Sequence, residues 1–180
     1  KNLYINKEIK KNKIISKIIR VDKKINSKFI EKINNPYFIS EGNKENLLFV
    51  IEIAKKLNIK KNDLFKTLKK FNGLKYRQQI IYRSKNLTII NDSKATSYSS
   101  SICILKSLTN VYWIVGGLAK KGDKFLLSKN DCKTFKTYIF GKDKNFFIKH
   151  LKKKVMSYKY FKNLKFLLKK VLLDIKKEKN

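Results

Sequence analysis

Cysteine, arginine and acidic residues are all scarce in this 180-residue sequence, and each scarcity narrows the class of protein. The two cysteines, Cys103 and Cys132, are too few for a disulfide framework and fit no metal-ligand spacing, which predicts free thiols in a reducing cytoplasm. No apolar run is long enough to span a membrane, and the first residues lack a cleavable signal pattern. The composition therefore argues against a secreted disulfide-rich domain and against a membrane protein.

Charge is strongly one-sided, because 45 lysines and arginines face 13 acidic residues and leave a net charge of +32. Only Arg20, Arg77 and Arg83 are arginines, although nucleic-acid surfaces favour arginine for bidentate contacts. The lysines are spread along the whole chain, which indicates a solvated coat rather than a dedicated nucleic-acid face. A basic nucleic-acid-binding α/β domain stays open as an alternative, and the charge alone predicts weak, salt-sensitive binding to polyanions.

The first part of the chain shows two helical patterns behind a less regular start. Residues 1–36 contain β-prone runs at 13–21 and 28–33, which we expect to be the trailing strands of a larger domain. Apolar residues then recur at helical spacing from Leu47 to Leu57, with Asn43 as a candidate N-cap. A second helix is predicted after residue 62, and Gly73 is expected to end it. We therefore place a domain boundary between residues 1–73 and 74–180.

The second part alternates between strand and helix patterns. A hairpin is predicted about Ser84-Lys85-Asn86, from strands at 79–83 and 87–91, and a helix over 95–108. Further strands are expected at 111–115, 137–140 and 155–160, and helices at 145–151 and 163–176. The last helix is expected to turn six apolar residues inward: Leu164, Leu167, Leu168, Val171, Leu172 and Ile175. Apolar strands separated by helix-length connections predict an α/β fold with a mostly parallel sheet flanked by helices.

A polar cluster follows the β-favouring residues 87–90, in the order Asn91-Asp92-Ser93-Lys94-Ala95-Thr96. A buried strand that ends in an acid, a cation and two hydroxyls, just before a helix, would place them at the carboxyl edge of a sheet. In open α/β folds, ligands bind at that edge beside helix N–H groups. We predict a binding site here.

A second candidate site is the glycine turn Gly116-Gly117 with Lys120. It is not a phosphate-binding Walker loop, since Asp123 follows Gly122 where Lys-Ser/Thr would be needed. A glycine turn with lysines beside it still suits a carboxylate or phosphate.

Three other polar or reactive features have simpler explanations. Asn43 and Asn46 lie one turn apart and serve either as polar capping residues or as amides for a base edge. His150 lies among lysines and is expected at the surface. Cys103 falls within a predicted helix and is expected to pack in the core.

Four segments together resemble the Mur ligase family, over residues 37–176. Phe71-Asn72-Gly73-Leu74-Lys75-Tyr76-Arg77 is similar to the family's F-x-G-L-x-H-R segment, and residues 91–96 match N-D-S-K-A-T. Gly116-Gly117 with Lys120 resembles G-G-x-x-K, and Gly42-Asn43-Lys44-Glu45-Asn46 resembles H-N-x-x-N. The N-D-S-K-A-T string is typical of the branch that adds D-glutamate. Tyr76 and Gly42 stand where the family has histidine.

The resemblance implies an ATP-dependent amide-bond ligase that adds D-glutamate to UDP-N-acetylmuramoyl-L-alanine through an acyl phosphate, in peptidoglycan precursor synthesis. It implies a Rossmann-like C-terminal domain, preceded by the tail of an α/β ATPase domain. Asn43 and Asn46 would contact adenine, and Arg77 and Asp92 would hold the nucleotide. Lys94 and Thr96 would bind D-glutamate, with Lys120 nearby for a carboxylate.

The resemblance assigns no acid–base or metal-binding residue to this chain. ATP and Mg²⁺ are the implied cofactors, and the Mg²⁺ ligands and a Walker loop are expected outside these 180 residues. The chain is therefore expected to be a piece of a longer ligase that is monomeric at full length and inactive as this piece alone. A sister enzyme such as a folylpolyglutamate synthase, or a non-catalytic paralogue, remains an alternative.

Overall fold

The computed structural model describes residues 21, 27–154 and 156–178. Contacts within the chain divide it into two compact units. The first consists of Lys1–Phe38 and Asn43–Phe71, and the second of Ile39–Gly42 and Asn72–Asn180. The strand predicted at residues 13–21 lies outside the described residues except for its last position.

The described part of the chain up to Lys70 is helical. It consists of α1 (Ser27–Ile33), a 3₁₀ turn (Pro36–Ile39), α2 (Glu41–Lys56) and α3 (Lys61–Lys70). The strand predicted at residues 28–33 is therefore wrong. Phe29, Ile30 and Ile33 have the i, i+1, i+4 spacing of a helix face and pack in one cluster with α3, where the Phe29 and Phe65 rings lie 5.8 Å apart. This packing outweighs the β-propensity of the isoleucines.

The C-terminal end of α3 is closed by a side chain from the loop after α1. The side-chain amide nitrogen of Asn35 donates to the carbonyls of Leu68 (2.7 Å) and Phe71 (2.8 Å) at the end of the helix, where carbonyls lack the regular helical partner. The helix ends at Lys70, three residues before the predicted stop at Gly73. Gly73 has φ +75° and belongs to the turn that follows.

The second unit begins with the predicted hairpin, which is confirmed. Strands β1 (Gln79–Arg83) and β2 (Thr88–Asn91) pair antiparallel, and the Ser84 amide donates to the Leu87 carbonyl at 2.8 Å across the turn. Helix α4 (Tyr98–Lys106) follows. The remaining elements are β3 (Tyr112–Gly116), β4 (Lys136–Phe140), α5 (Lys144–Lys153), β5 (Tyr158–Phe161) and α6 (Leu164–Lys177).

Strands β3, β4 and β5 form a parallel sheet in that order, as the apolar runs predict. Alternate residues of the central strand β4 enter two separate cores. Ile139 packs with residues of α4 and α5, whereas Tyr138 packs with Leu167 and Val171 of α6. The sheet is therefore covered by α4 and α5 on one face and by α6 on the other. Cys132 is buried in the first core, and its burial raises the pKa of the thiol.

Helix α6 buries fewer apolar residues than its pattern predicts. Leu167 and Val171 are buried and Ile175 is partly buried, whereas Leu164, Leu168 and Leu172 are exposed. A single contact with the sheet covers only a narrow stripe of the helix surface, so the neighbouring leucines remain outside it. Within the described residues, no helix combines the length and the apolar character that crossing a membrane requires.

Two leucines of α6 give a direct test of this arrangement. Leu167 is fully buried and Leu172 is 52% exposed, although the sequence pattern assigns both to the inner face. We expect Leu167→Ala to lower the free energy of unfolding by about 3 kcal/mol because it leaves a cavity. Leu172→Ala is expected to change it by less than about 0.5 kcal/mol. Urea unfolding of both variants measures the difference, and equal losses would contradict the packing.

Candidate functional site

The loops that follow β3 and β4 touch each other through their backbones. The Gly117 amide donates to the Phe140 carbonyl at 3.1 Å, and the Asp143 amide donates to the Gly117 carbonyl at 3.4 Å. Gly141 has φ +96°, and a Cβ atom at this position would lie 2.7 Å from the Gly117 nitrogen. A side chain at residue 141 would force the loops apart, so their contact depends on glycine.

These two loops border an open depression of 390 Å³ at the carboxyl end of the sheet. Its lining residues are Ala119, Lys120, Lys121, Lys142, Asp143, Asn145 and Phe146. The Asp143 carboxylate crosses between the loops and accepts the Ala119 amide at 2.7 Å. Three exposed lysines and the N-terminal end of α5 make this rim positive, which suits a carboxylate or phosphate group.

The polar cluster at residues 91–96, which we call the corner, is exposed at Ser93 and Lys94 and is held in place through Asp92. One Asp92 oxygen accepts the Gln78 amide at 3.1 Å, and the other accepts the Ser101 hydroxyl at 2.9 Å. Lys94 and Thr96 are exposed. The Lys94 ammonium lies 5.9 Å from the centre of the Tyr76 ring, within the range of a cation–π contact.

The corner differs from its prediction in one respect. Strand β2 is not a buried strand of the parallel sheet, but half of a two-stranded hairpin whose first residues, Thr88 and Ile89, are exposed. The turn at Ser84 is too short for a crossover and allows only antiparallel pairing. The corner therefore does not lie at the carboxyl end of a parallel strand.

A hydrogen bond nevertheless links the corner to the glycine loop. Asp123, in the loop after β3, accepts the backbone amide of Tyr98 through Oδ2 at 2.6 Å. Tyr98 is the first residue of α4, two residues after Thr96, and Asp123 lies three residues after Lys120. The structure thus brings together the segments that contain Lys94, Thr96 and Lys120, within the second unit.

The candidate nucleotide-binding residues are divided between the two units. In the first unit, Asn43 is 6% exposed and donates to the Tyr37 carbonyl at 2.8 Å, whereas Asn46 is exposed. Asn43 is not the N-cap, because α2 begins at Glu41, whose charge suits the positive end of the helix. In the second unit, Arg77 is exposed, and its amide donates to the Leu74 carbonyl at 3.1 Å.

His150 is not the surface residue that its lysine neighbours suggest. Its ring packs edge-on against Phe146, at 4.5 Å between centroids, and against Tyr98 at 5.6 Å. Burial lowers the pKa of His150, the charges of Lys153 and Lys149 lower it further, and the charge of Asp123 opposes them. Burial, followed by the charge of Asp123, raises the pKa of the Tyr98 hydroxyl.

Sequence reasoning gave Asp123, Asp143 and Gly141 no role in the site, although they hold its loops in place. Their only sequence signal was the presence of rare acids next to glycine turns in a chain rich in lysine. Among the described residues, no group of three or more His, Cys, Asp and Glu side chains lies close enough together to hold a metal ion.

Alanine substitutions at Gly117 and Gly141 distinguish the cost of a left-handed backbone from the cost of steric overlap. Gly141 and Gly117 have φ of +96° and +100°, but a Cβ atom on Gly117 would have no neighbour within 4 Å. We expect Gly117→Ala to lower the free energy of unfolding by about 1–2 kcal/mol, through its left-handed backbone alone. Gly141→Ala should lose about 1–3 kcal/mol more through overlap with residue 117. Denaturant unfolding of the pair tests this, and equal losses would disprove the loop contact.

The lowered pKa of His150 predicts a stability that falls in mild acid. The unfolded chain takes up the proton near the ordinary value of 6.5, whereas the folded chain resists it. The stabilising contribution is therefore complete above pH 6.5 and is lost as the pH falls through the lower folded-state value.

His150→Phe keeps the edge-on ring and removes the titration. From pH 7.5 to pH 5, we expect the Tm of the wild type to fall relative to this variant by about 2 °C. Thermal unfolding at matched ionic strength provides the measurement. A Tm difference that does not change with pH would show that His150 is not shielded.

Comparison with known proteins identifies relatives for most of the chain, although no family model matches it. The UDP-N-acetylmuramoylalanine–D-glutamate ligase of Francisella philomiragia is 36% identical over 124 residues, which cover 67% of this chain and 30% of that protein. The enzyme of the same name from Francisella tularensis is 35% identical over 130 residues, which cover 70% of this chain and 31% of that protein. The chain thus spans about 30% of the length of these relatives.

A solved structure shares the fold. The UDP-N-acetylmuramate–alanine ligase of Thermotoga maritima superposes with a TM-score of 0.52 at 18% identity, covering 69% of this chain and 30% of that one. The sequence match and the shared α/β fold agree with the resemblance carried by residues 91–96. The chain belongs to the Mur ligase family.

Proposed function

We propose that this chain is part of an ATP-dependent ligase that adds D-glutamate to UDP-N-acetylmuramoyl-L-alanine in peptidoglycan precursor synthesis. The choice of substrates is supported by relatives whose names state this activity. They are about 35% identical to this chain over about two thirds of its length. The N-D-S-K-A-T string at residues 91–96 supports the choice of amino acid. We place the reaction in the cytoplasm and expect a monomer at full length.

In this proposal, D-glutamate binds between the corner and the glycine loop. The observation that carries it is the Tyr98–Asp123 hydrogen bond, which joins the segments that contain Thr96 and Lys120. Lys94 and Lys120 offer two exposed ammonium groups for the two carboxylates of the amino acid, and Thr96 offers a hydroxyl. Binding through the carboxylates leaves the amine free to react.

The proposed chemistry proceeds in two steps. A phosphoryl group passes from ATP to the substrate carboxylate, giving an acyl phosphate and ADP. The D-glutamate amine then attacks the acyl carbon, the C–N bond forms, the C–O bond to phosphate breaks, and the amine loses a proton as phosphate leaves. The contribution of Lys94, Thr96 and Lys120 is to orient the amine and neutralise nearby negative charge.

ATP and Mg²⁺ belong to the proposal as cofactors of the whole ligase. In phosphoryl transfer the metal neutralises phosphate charge. The described residues offer no group of three or more His, Cys, Asp and Glu side chains for a metal ion, so we expect the Mg²⁺ ligands in another part of the ligase. We assign Asn43 and Asn46 to adenine, and Arg77 and Asp92 to the remainder of the nucleotide. Each Asp92 oxygen already accepts one hydrogen bond and keeps a second acceptor position.

A nucleic-acid-binding domain explains the site less well. Proteins that bind single-stranded nucleic acid stack the bases on exposed aromatic rings. Phe125 and Tyr138, which fall in apolar contexts in the sequence, are buried in the two cores beside the sheet. We attribute the net charge of +32 to the lysine coat.

Titration with the two glutamate enantiomers tests the amino-acid site. We expect D-glutamate to shift the backbone NMR signals of residues 94, 96 and 120, and L-glutamate to shift them far less. Lys94→Ala should weaken D-glutamate binding about tenfold or more, because a charge-assisted hydrogen bond is lost. Lys85→Ala, at the exposed hairpin turn, is the matched control and should leave binding unchanged.

Equal responses to both enantiomers, or equal effects of the two lysine substitutions, would indicate that only the lysine coat binds. The same protein, supplied with UDP-N-acetylmuramoyl-L-alanine, D-glutamate, ATP and Mg²⁺, is expected to release no phosphate above background. Robust turnover would show that this chain is more complete than we propose.

A further inference from the structure

Asp123 makes two bonds that connect different parts of the second unit. Its backbone amide donates to the Lys120 carbonyl at 3.1 Å, and its carboxylate accepts the Tyr98 amide at 2.6 Å. The residues around Asp123, from 118 to 127, lie outside any strand or helix. One aspartate therefore couples the backbone at Lys120 to the first residue of α4.

The Tyr98 bond places the Asp123 carboxylate at the N-terminal end of α4. The Ser97 hydroxyl caps the helix locally by accepting the Ser100 amide, and Asp123 accepts the amide of the first helical residue. A carboxylate at this end is stabilised by the helix dipole and by a charge-assisted bond.

The ring of Tyr98 makes this attachment rigid. It is 4% exposed and contacts Phe125 at 4.9 Å between centroids, on the same loop as Asp123. It also contacts Phe146, which lines the depression beside Lys120, at 5.9 Å. The loop after β3 therefore holds both the backbone and the side chain of Tyr98, and Phe146 of α5 packs against its ring.

We infer that Asp123 is a positioning residue of the proposed amino-acid site: by binding the Tyr98 amide, it sets the separation between the Lys94–Thr96 corner and Lys120. The inference rests on the proposed function for the identity of the ligand. The attachment itself is a property of the described structure and is measured without ligand.

Asp123→Ala removes the acceptor, and Asp131→Ala is its matched control. Asp131 lies in the same connection between β3 and β4 and accepts a backbone amide too, but from Ser128 within its own turn. In Asp123→Ala we expect hydrogen exchange at the Tyr98 amide to quicken about tenfold or more, and the amide signals of Lys94 and Lys120 to move. Asp131→Ala should leave all three unchanged.

Asp123→Asn keeps an acceptor oxygen and removes the charge, so it should retain part of the protection. Its Tyr98 exchange is expected at about three times the wild-type rate, and this variant decides the question if Asp123→Ala fails to fold. Unchanged Tyr98 exchange in the Asp123 variants, or the same change in Asp131→Ala, would overturn the inference.

Titration with D-glutamate separates the inference from the proposed function. Weaker D-glutamate binding in Asp123→Ala, with unchanged binding in Asp131→Ala, supports both. A wild-type protein that gives no D-glutamate response at residues 94, 96 and 120 would count against the proposed function. The Tyr98, Lys94 and Lys120 signals without ligand would still decide whether Asp123 holds the two segments together.

Discussion

The site depends on the close approach of two backbones at the carboxyl end of the parallel sheet. Gly117 and Gly141 allow the loops after β3 and β4 to share hydrogen bonds at a distance that any side chain on residue 141 would prevent. Because the loops touch, the Asp143 carboxylate reaches the Ala119 amide, and Lys120 and Lys142 line the same depression. Strand order and glycine placement thus produce a positive rim before any ligand is present.

Negative charge organises this rim, although positive charge dominates the chain. Of the 13 acidic residues, Asp92, Asp123 and Asp143 each accept a backbone amide from another segment of the second unit. In a lysine coat of this density, neighbouring lysines can supply the positive charge that one lysine loses. A carboxylate that accepts a hydrogen bond from one particular amide has no such substitute. The acids therefore fix the geometry, and in the proposed site the lysines attract the carboxylates of the amino acid.

The sequence predicted the second unit well because its signals are local. Short apolar runs that end in glycine marked β3 and β4, and the hairpin followed from its turn residues. The failures share a cause in packing between segments. Residues 28–33 form a helix because α3 covers their apolar side, and Leu172 stays exposed because the sheet contacts only a stripe of α6. The local sequence pattern does not predict either contact, that of α3 with residues 28–33 or that of the sheet with α6.

The candidate site shows the same division between local and distant signals. Lys94, Thr96 and Lys120 were predicted as site residues because their motifs are contiguous, whereas Asp123 accepts a hydrogen bond from an amide 25 residues away. Any residue except proline can donate its backbone amide to a carboxylate. The residue type at position 98 therefore does not indicate that this hydrogen bond exists. The positions of Asp92, Asp123 and Asp143, each bonded to the backbone of another segment, are therefore the part of the candidate site that the local pattern of a lysine-rich sequence does not show.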